Sequence, residues 1–249
     1  FDRGQPLIQL GTVIGSSFAL AIVPNISKER LQRWKASFDM YIRLTVAYSF
    51  YIAIGATVGL IIIFPETNQL LFQDTSGTFS LRLLSSTIFF STMVITAATI
   101  LQGLGYLKKT ALYILLAILV KGFLNEIFVP IYGITGSAFA TVIGMIFLFI
   151  LLYHKLRQIL PNFSFVNMIH WIGVSRALLI MSIYLFTVKL VGPSIAEISR
   201  FGLAVFVLFL VFSGSILYLI TLLHSNVFTK KELALAPFGN ILIRLYKGG

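Results

Sequence analysis

The sequence predicts an all-α polytopic membrane protein with seven transmembrane helices. Its 249 residues are 58% hydrophobic and only 11% charged, whereas an average soluble domain is about 45–50% apolar and about 25% charged. A soluble fold with so few charged side chains could not cover so much apolar surface. The apolar runs are also too long and too uniform for β-barrel strands, which have about 10 residues of alternating polarity.

Each predicted helix is a run of roughly 20 mostly apolar residues, the length that crosses the hydrocarbon core. In chain order the runs are Gly4 to Ser27, Leu44 to Pro65, Leu83 to Leu107, Thr110 to about Ile131, Ile134 to His154, His170 to Val191, and Phe201 to His224. Small residues cluster at 11–17 and at 136–144, which predicts close helix contacts there. Pro130 and Gly133 predict a short turn between the fourth and fifth spans.

The loops predict an orientation for these spans. Alternate connections, beginning with the first and ending with the C-terminal tail, carry 5, 2, 2 and 4 basic residues. The loop from Pro65 to Phe79 instead carries Glu66 and Asp74. By the positive-inside rule the basic connections face the cytoplasm, so the first helix enters from outside and the C-terminus lies inside. The net charge of +11 is therefore assigned to the membrane surface, and nucleic acid is not expected as a partner.

Two further segments are predicted to lie on the membrane surface. Residues 27–43 mix basic residues with Leu31, Trp34, Phe38 and Tyr41, an interfacial amphipathic pattern. In the tail, residues 228–249, the sequence TKKE at 229–232 fits a helix-capping box.

Ionisable residues inside a span are costly and usually face a cavity or a partner. Lys121 lies near the middle of the fourth span, too deep for easy snorkelling, and Asn125 shares its helical face. Glu126 is a candidate ion- or proton-coupling group, although snorkelling explains it equally well. For Arg176 and Lys189, near the ends of the sixth span, simple snorkelling is the favoured interpretation.

The start of the chain is the second candidate site. Asp2, Gln5 and Gln9 fall on one helical stripe beside Arg3. An arginine there could bind phosphate or pyrophosphate through paired hydrogen bonds. From the residues alone, an interfacial anchor explains Arg3 better. The first residue is Phe1, and we interpret the chain as a piece of a longer protein.

An enzyme is not predicted. The sequence contains no zincin, nucleophile-elbow or Walker A motif. It contains no cysteine, which excludes disulfides and thiolate metal sites. His154, His170 and His224 sit at predicted cytoplasmic interfaces without metal-ligand spacing, so a structural or headgroup role is favoured. No metal and no cofactor is expected, apart from a coupling ion of unknown identity.

Two stretches carry a family resemblance. The first is FDRGQPLIQLGTVIGSSFALAIVPNIS (residues 1–27), and the second is KGFLNEIFVPIYGITGSAFATVIG (residues 121–144). They resemble helices eight, and eleven to twelve, of polysaccharide exporters in the multidrug/oligosaccharidyl-lipid/polysaccharide superfamily. The similarity is greatest to the SpoVB/MurJ-like branch of Gram-positive bacteria, and the tail TKKELALAPFGNIL also looks like that branch.

The resemblance implies the second half, helices 8–14, of a fourteen-helix transporter. Residues 1–154 would be helices 8–12 with the interfacial segment 27–43. Residues 170–224 would be helices 13 and 14, forming a groove for a lipid tail, followed by the cytoplasmic tail 228–249. The expected cargo is a lipid-linked, pyrophosphate-bearing sugar such as lipid II, flipped by alternating access together with the missing N-terminal half.

The resemblance also implies roles for single residues. Arg3 matches the family's arginine in helix eight, with Asp2 as an orienting partner and Gln5 on the same stripe. Lys121 and Asn125 match the helix-eleven pattern. Glu126 departs from that pattern, where an apolar residue is usual, and it adds negative charge near a cavity expected to be basic.

Three alternatives stay open at this point. A drug/cation antiporter of the same superfamily would favour acidic cavity residues, which Glu126 supports weakly. A complete seven-helix receptor or retinal protein fits the helix count, but the last span has no lysine for a Schiff base. A non-transporting scaffold for envelope enzymes would tolerate mutation of the cavity charges.

Overall fold

The computed structural model describes residues 9, 11–17, 20, 36–72, 78–160, 163–192, 199–225, 227 and 228. All regular structure within these residues is helical, which confirms the predicted fold class. The helices are α1 (11–17), α2 (Ala36–Phe72), α3 (Thr78–Ser85), α4 (Thr87–Gly103), α5 (Leu107–Tyr132), α6 (Ile134–Ile159), α7 (Phe165–Met168), α8 (Trp171–Val191) and α9 (Arg200–His224).

Among the described residues, six helices or helix pairs are long and apolar enough to cross a membrane. They are Met40–Leu71, Thr78–Gly103, Leu107–Tyr132, Ile134–Ile159, Trp171–Val191 and Arg200–His224. These correspond to six of the seven predicted spans. The remaining one, Gly4 to Ser27, lies largely outside the described residues, although 11–17 of it are helical.

Helix α2 is longer than the apolar pattern predicted. It runs through Pro65 to Phe72, so Glu66 lies inside a helix and the assignment of Pro65 to Phe79 to a loop is wrong for its first part. Proline lacks the N–H that would continue the helix, but membrane helices tolerate it where a neighbouring helix satisfies the freed carbonyls. Residues 36–43 of the predicted interfacial segment form the beginning of α2; residues 27–35 lie outside the described part.

The third predicted span is two helices, α3 and α4, interrupted at Ser86. The Ser86 hydroxyl donates to the Leu83 carbonyl at 2.6 Å, and its N–H bonds to the same carbonyl at 3.1 Å. Serine hydroxyls offer the backbone an alternative to the helical hydrogen bond. Elsewhere in these helices, hydroxyls bond to carbonyls one turn back, as from Thr96 to Thr92 at 2.8 Å, which satisfies them without water.

The described residues divide into two compact units. The first unit takes Phe1–Thr57 and Gly77–Ile169. Its buried apolar core joins α2, α4, α5 and α6 and contains Ile42, Val46, Val94, Ala97, Ala98, Ile100, Leu101, Leu104, Ala117, Leu148, Leu152, Leu156, Leu160 and Phe163. Phe50 of α2 adds edge-on ring contacts with Phe89 and Phe165, at 5.4 and 5.3 Å between centroids.

Small residues produce the tight helix contacts of this unit, as predicted. A Cβ at Gly15 of α1 would lie 2.8 Å from Thr92 of α4, and a Cβ at Gly144 of α6 would lie 3.2 Å from the Lys121 Cβ of α5. The turn between α5 and α6 is the single residue Gly133, at φ +56° and ψ −132°, a conformation that only glycine adopts readily.

The second unit takes Val58–Ser76 and His170–Gly249. Its helices α8 and α9 pack against each other, with Leu185 against Gly214. Both helices begin with a side-chain cap: His170 Nδ1 accepts from the Gly173 N–H, and Ser199 Oγ accepts from the Gly202 N–H, each at 3.2 Å. Large apolar side chains remain exposed on both helices, such as Leu190 and Phe201, as expected of surfaces that meet lipid.

Candidate functional site

Lys121 lies in the middle of an unbroken membrane-length helix. From the bounds of α5, Leu107–Tyr132, its Cα is about 21 Å from the beginning and about 16 Å from the end at 1.5 Å per residue. The side chain is half-buried. Within the described part of the chain, it has neither a hydrogen bond nor an ion pair. The helix that carries this charge is therefore confirmed, and the depth of the charge in the membrane stays a prediction.

Asn125 follows Lys121 by one turn of α5 and is half-buried. Its amide oxygen Oδ1 is buried and accepts no hydrogen bond from the described residues, Lys121 included. Glu126, the next residue, is exposed. A buried, unsatisfied amide oxygen costs about 1–3 kcal/mol. A ligand or segment that donates a hydrogen bond to this oxygen would remove that cost.

The other candidate residues, Asp2, Arg3 and Gln5, lie outside the described residues. Their assignment to a phosphate-binding site therefore stays a prediction.

A second intramembrane charge site lies in the second unit, where α8 meets the last turns of α2. The Lys189 ammonium Nζ is 2.8 Å from Glu66 Oε1 and donates to the Ile62 carbonyl at 2.7 Å. The side chains of Lys189 and Glu66 are 17% and 5% exposed. Snorkelling was the wrong interpretation of Lys189, because its charge is used in a buried ion pair.

The ion pair lies beside Pro65 on α2. Pro65 has no N–H to donate to the Ile61 carbonyl four residues back and crowds the helix there. Lys189 donates to the next carbonyl, that of Ile62, and neutralises Glu66 at the same time. The second carboxylate oxygen, Glu66 Oε2, is buried and has no hydrogen-bond partner in the described part of the chain.

The sequence contains a signal for this ion pair, although a snorkelling Lys189 was predicted instead. Glu66 follows the predicted second span directly, and Lys189 lies near the end of the sixth span. The predicted topology puts both of these ends on the outer side of the membrane. Two opposite charges at the same depth on separate helices are candidates for an ion pair, since charges within spans usually pair with one another.

The histidines have structural contacts. His170 caps α8, as described above, His154 Nε2 lies 3.0 Å from Gln158 Nε2, and His224 Nδ1 lies 2.9 Å from the Ile220 carbonyl. In the described ranges no group of three or more His, Asp or Glu side chains could hold a metal ion.

The fold and these intramembrane charges define a multi-pass helical membrane protein. The chain is 32% identical over 260 residues to "Uncharacterized membrane protein YabM" of Bacillus subtilis (strain 168), an alignment that takes in 99% of this chain and 46% of the relative. It is 31% identical over 143 residues to "Uncharacterized membrane protein MJ1375" of Methanocaldococcus jannaschii, covering 56% of this chain and 32% of that one. The chain thus spans less than half the length of either relative. No family model matches the chain.

Proposed function

We propose that this chain is part of a transmembrane flippase or exporter of lipid-linked cell-wall or polysaccharide precursors. The observation that carries the proposal is Lys121, a half-buried ammonium in the middle of α5 with no counter-charge among the described side chains. A charge at the bilayer centre is retained where it meets a cavity or a cargo. A cationic group at this depth suits an anionic cargo, such as a polyprenyl-pyrophosphate sugar.

The physical need for such a protein is clear. Moving a charged pyrophosphate headgroup through hydrocarbon without compensation is prohibitive. A water-filled, cationic cavity removes that barrier, while the lipid tail remains in a groove on α8 and α9. Arg3 and Asp2 would bind and orient the pyrophosphate, and Asn125 would offer its free oxygen to a sugar hydroxyl.

The length of the relatives supports a second half. A relative more than twice as long as the aligned part leaves room for further helices, which would complete the cavity by alternating access. We place the C-terminus in the cytoplasm and the beginning of this chain outside. Glu126 is our candidate for coupling transport to an ion or proton.

We expect Lys121→Gln to lower transport at least about tenfold, the loss typical of one charged hydrogen bond. The measurement is lipid II exposure on the outer leaflet of cells depleted of their own lipid II flippase and supplied with the full-length protein. Arg176→Gln is the matched control, since it removes one positive charge from an exposed position on α8. If cells with the Lys121 variant and cells with the Arg176 variant expose the same amount of lipid II, the proposal loses its basis.

Arg3→Ala is expected to abolish exposure in the same assay while the protein remains in the membrane. The reason is that paired guanidinium hydrogen bonds to a pyrophosphate have no substitute in alanine. Normal transport at normal expression would refute the role assigned to Arg3. If the unmutated protein restores no exposure, another polyprenyl-linked sugar or the antiporter becomes the better candidate.

A further inference from the structure

Two lysines, Lys109 and Lys155, lie where α5 begins and α6 ends. This end of α5 is the one farther from Glu126. It is built on the tight turn between α4 and α5. Gly105 has φ +82°, and the Tyr106 N–H donates to the Leu101 carbonyl at 2.9 Å. The Tyr106 ring packs against the core of the first unit. The turn therefore holds this ring in a fixed place.

Lys155 of α6 lies over that ring, with Nζ 5.6 Å from the Tyr106 centroid. The same ammonium donates to Gln158 Oε1 at 3.0 Å, and Gln158 Nε2 lies 3.0 Å from His154 Nε2. Cation–π contact and the hydrogen bond together restrict a side chain that would otherwise be mobile. Lys155 is thus a positioned charge.

A second lysine lies at the same end of these two helices. Lys109 is in the first turn of α5, three residues or about one helical turn after Tyr106, whose ring Lys155 covers. The positive charges of Lys109 and Lys155 repel each other there. Among the side chains described in this unit, the one carboxylate is Glu126, which lies 17 residues along α5 from Lys109, or about 26 Å away. The chain itself offers no described acid to compensate the pair.

We propose that Lys109 and Lys155, with the Tyr106 ring beneath Lys155, bind the phosphodiester headgroup of an anionic phospholipid. Phosphate oxygens would accept hydrogen bonds from both ammonium groups, and one negative charge would relieve their repulsion. Basic sites between membrane helices are known to bind lipid headgroups in this way. The proposal does not depend on what the protein transports.

The surroundings favour a lipid over a free anion. Both lysines lie within a turn or so of the ends of membrane-length helices, which is headgroup depth. Directly below the cluster, α5 exposes apolar side chains that an acyl chain could cover, including Leu107, Leu112 and Leu115 at 61%, 52% and 53% exposure. A free phosphate would gain nothing from that surface.

The test is a titration of the full-length protein in neutral detergent, following its thermal midpoint. The ligands are phosphatidylglycerol, phosphatidylcholine with the same acyl chains, and inorganic phosphate. A ligand that binds the folded state raises the midpoint according to its concentration relative to Kd. We expect a saturable rise with phosphatidylglycerol alone, weaker at high salt.

Lys109→Gln/Lys155→Gln should raise the Kd for phosphatidylglycerol roughly 30-fold, because it removes two positive charges near the membrane surface. Lys109→Arg/Lys155→Arg should retain the response, because it keeps both charges. The control Arg82→Gln/Arg200→Gln removes two charges from exposed positions elsewhere and should leave the response unchanged. The single variant Lys109→Gln should lose about fivefold in affinity for phosphatidylglycerol. It replaces the double variant in the test if the double variant yields no folded protein.

Three results would overturn the proposal. The first is an unchanged phosphatidylglycerol titration in the Gln variants. The second is an equal loss of the phosphatidylglycerol response in the Arg82/Arg200 control, which would mean that the lipid is attracted by surface charge in general and not by this site. The third is an equal midpoint shift with inorganic phosphate, which would mean a free-anion site.

Discussion

Lys189→Met in the full-length protein is expected to lower the free energy of unfolding by about 3–5 kcal/mol. The substitution removes the ammonium 2.8 Å from Glu66 Oε1 and leaves a carboxylate that is only 5% exposed without a partner. It also removes the donor to the Ile62 carbonyl beside Pro65. An uncompensated charge in a low-dielectric interior is far more costly than the loss of an exposed ion pair.

The double variant Glu66→Met/Lys189→Met distinguishes an ion pair from packing. Replacing both members of a buried pair by apolar groups of similar size is often neutral or stabilising, so the double variant should be more stable than Lys189→Met alone. Glu66→Gln should fall in between, because it removes the charge and keeps an acceptor for Lys189.

The measurement is the heat-dependent loss of monodisperse protein in detergent. The single variant should lose about 5 °C or more. Arg176→Met, which removes a positive charge from an exposed position on the same helix, should melt with the unmutated protein. If Lys189→Met and the double variant melt alike, the two side chains do not form a coupled pair, and the assignment fails.

Much of this fold could be predicted because the bilayer leaves the backbone few choices. In hydrocarbon each N–H and C=O must be satisfied within its own segment, so a long apolar run becomes a helix. The sixth and seventh spans, predicted at His170 to Val191 and Phe201 to His224, differ from α8 and α9 by one residue at their beginnings. Gly133 was also placed correctly in the turn between the fourth and fifth spans.

The end of α2 could not be predicted in the same way. A proline followed by a glutamate reads locally as the end of a helix. The helix nevertheless continues to Phe72, and a donor on α8, 127 residues further along the chain, bonds to Ile62 near the proline. Hydropathy evaluates one segment at a time, so it cannot include a partner on another helix. The same limit made Lys189 look like a snorkelling residue.

For the candidate sites, too, features of a single helix could be predicted and contacts between helices could not. The depth of Lys121 follows from its position in one helix, and the structure confirms that helix. The grouping of Lys109, Lys155 and Tyr106 depends on how α4, α5 and α6 meet, which periodicity does not specify. The sequence placed both lysines only at helix ends. The contact of Lys155 with the Tyr106 ring is a property of the packed unit.

Gly136→Ala is expected to be the most damaging small change in the α5–α6 pair. A Cβ at Gly136 would lie 2.1 Å from the Phe128 carbonyl oxygen and 2.5 Å from its carbonyl carbon. These are backbone atoms of α5, which cannot rotate aside as a side chain could, so the two helices must separate. Such overpacking costs about 1–3 kcal/mol and occasionally more.

Two other glycines of the same helix pair provide a graded control. Gly122 has nothing within 4 Å of its built Cβ, so Gly122→Ala should be neutral or stabilise by up to about 1 kcal/mol through helix propensity. At Gly144 the nearest atom is the Lys121 Cβ at 3.2 Å, a side-chain contact that a small shift can relieve. The expected order of melting midpoints is therefore Gly122→Ala highest, Gly144→Ala next and Gly136→Ala lowest.

The same series tests whether helix spacing matters to transport. Because α5 carries Lys121, moving it away from α6 should displace the proposed cargo-binding charge. Gly136→Ala should then reduce lipid II exposure more than Gly144→Ala, even after correction for protein amount. If Gly136→Ala melts at the same temperature as Gly122→Ala, the close approach of α6 to Phe128 is wrong. If it melts early yet transports normally per folded molecule, the spacing stabilises the fold but does not position Lys121.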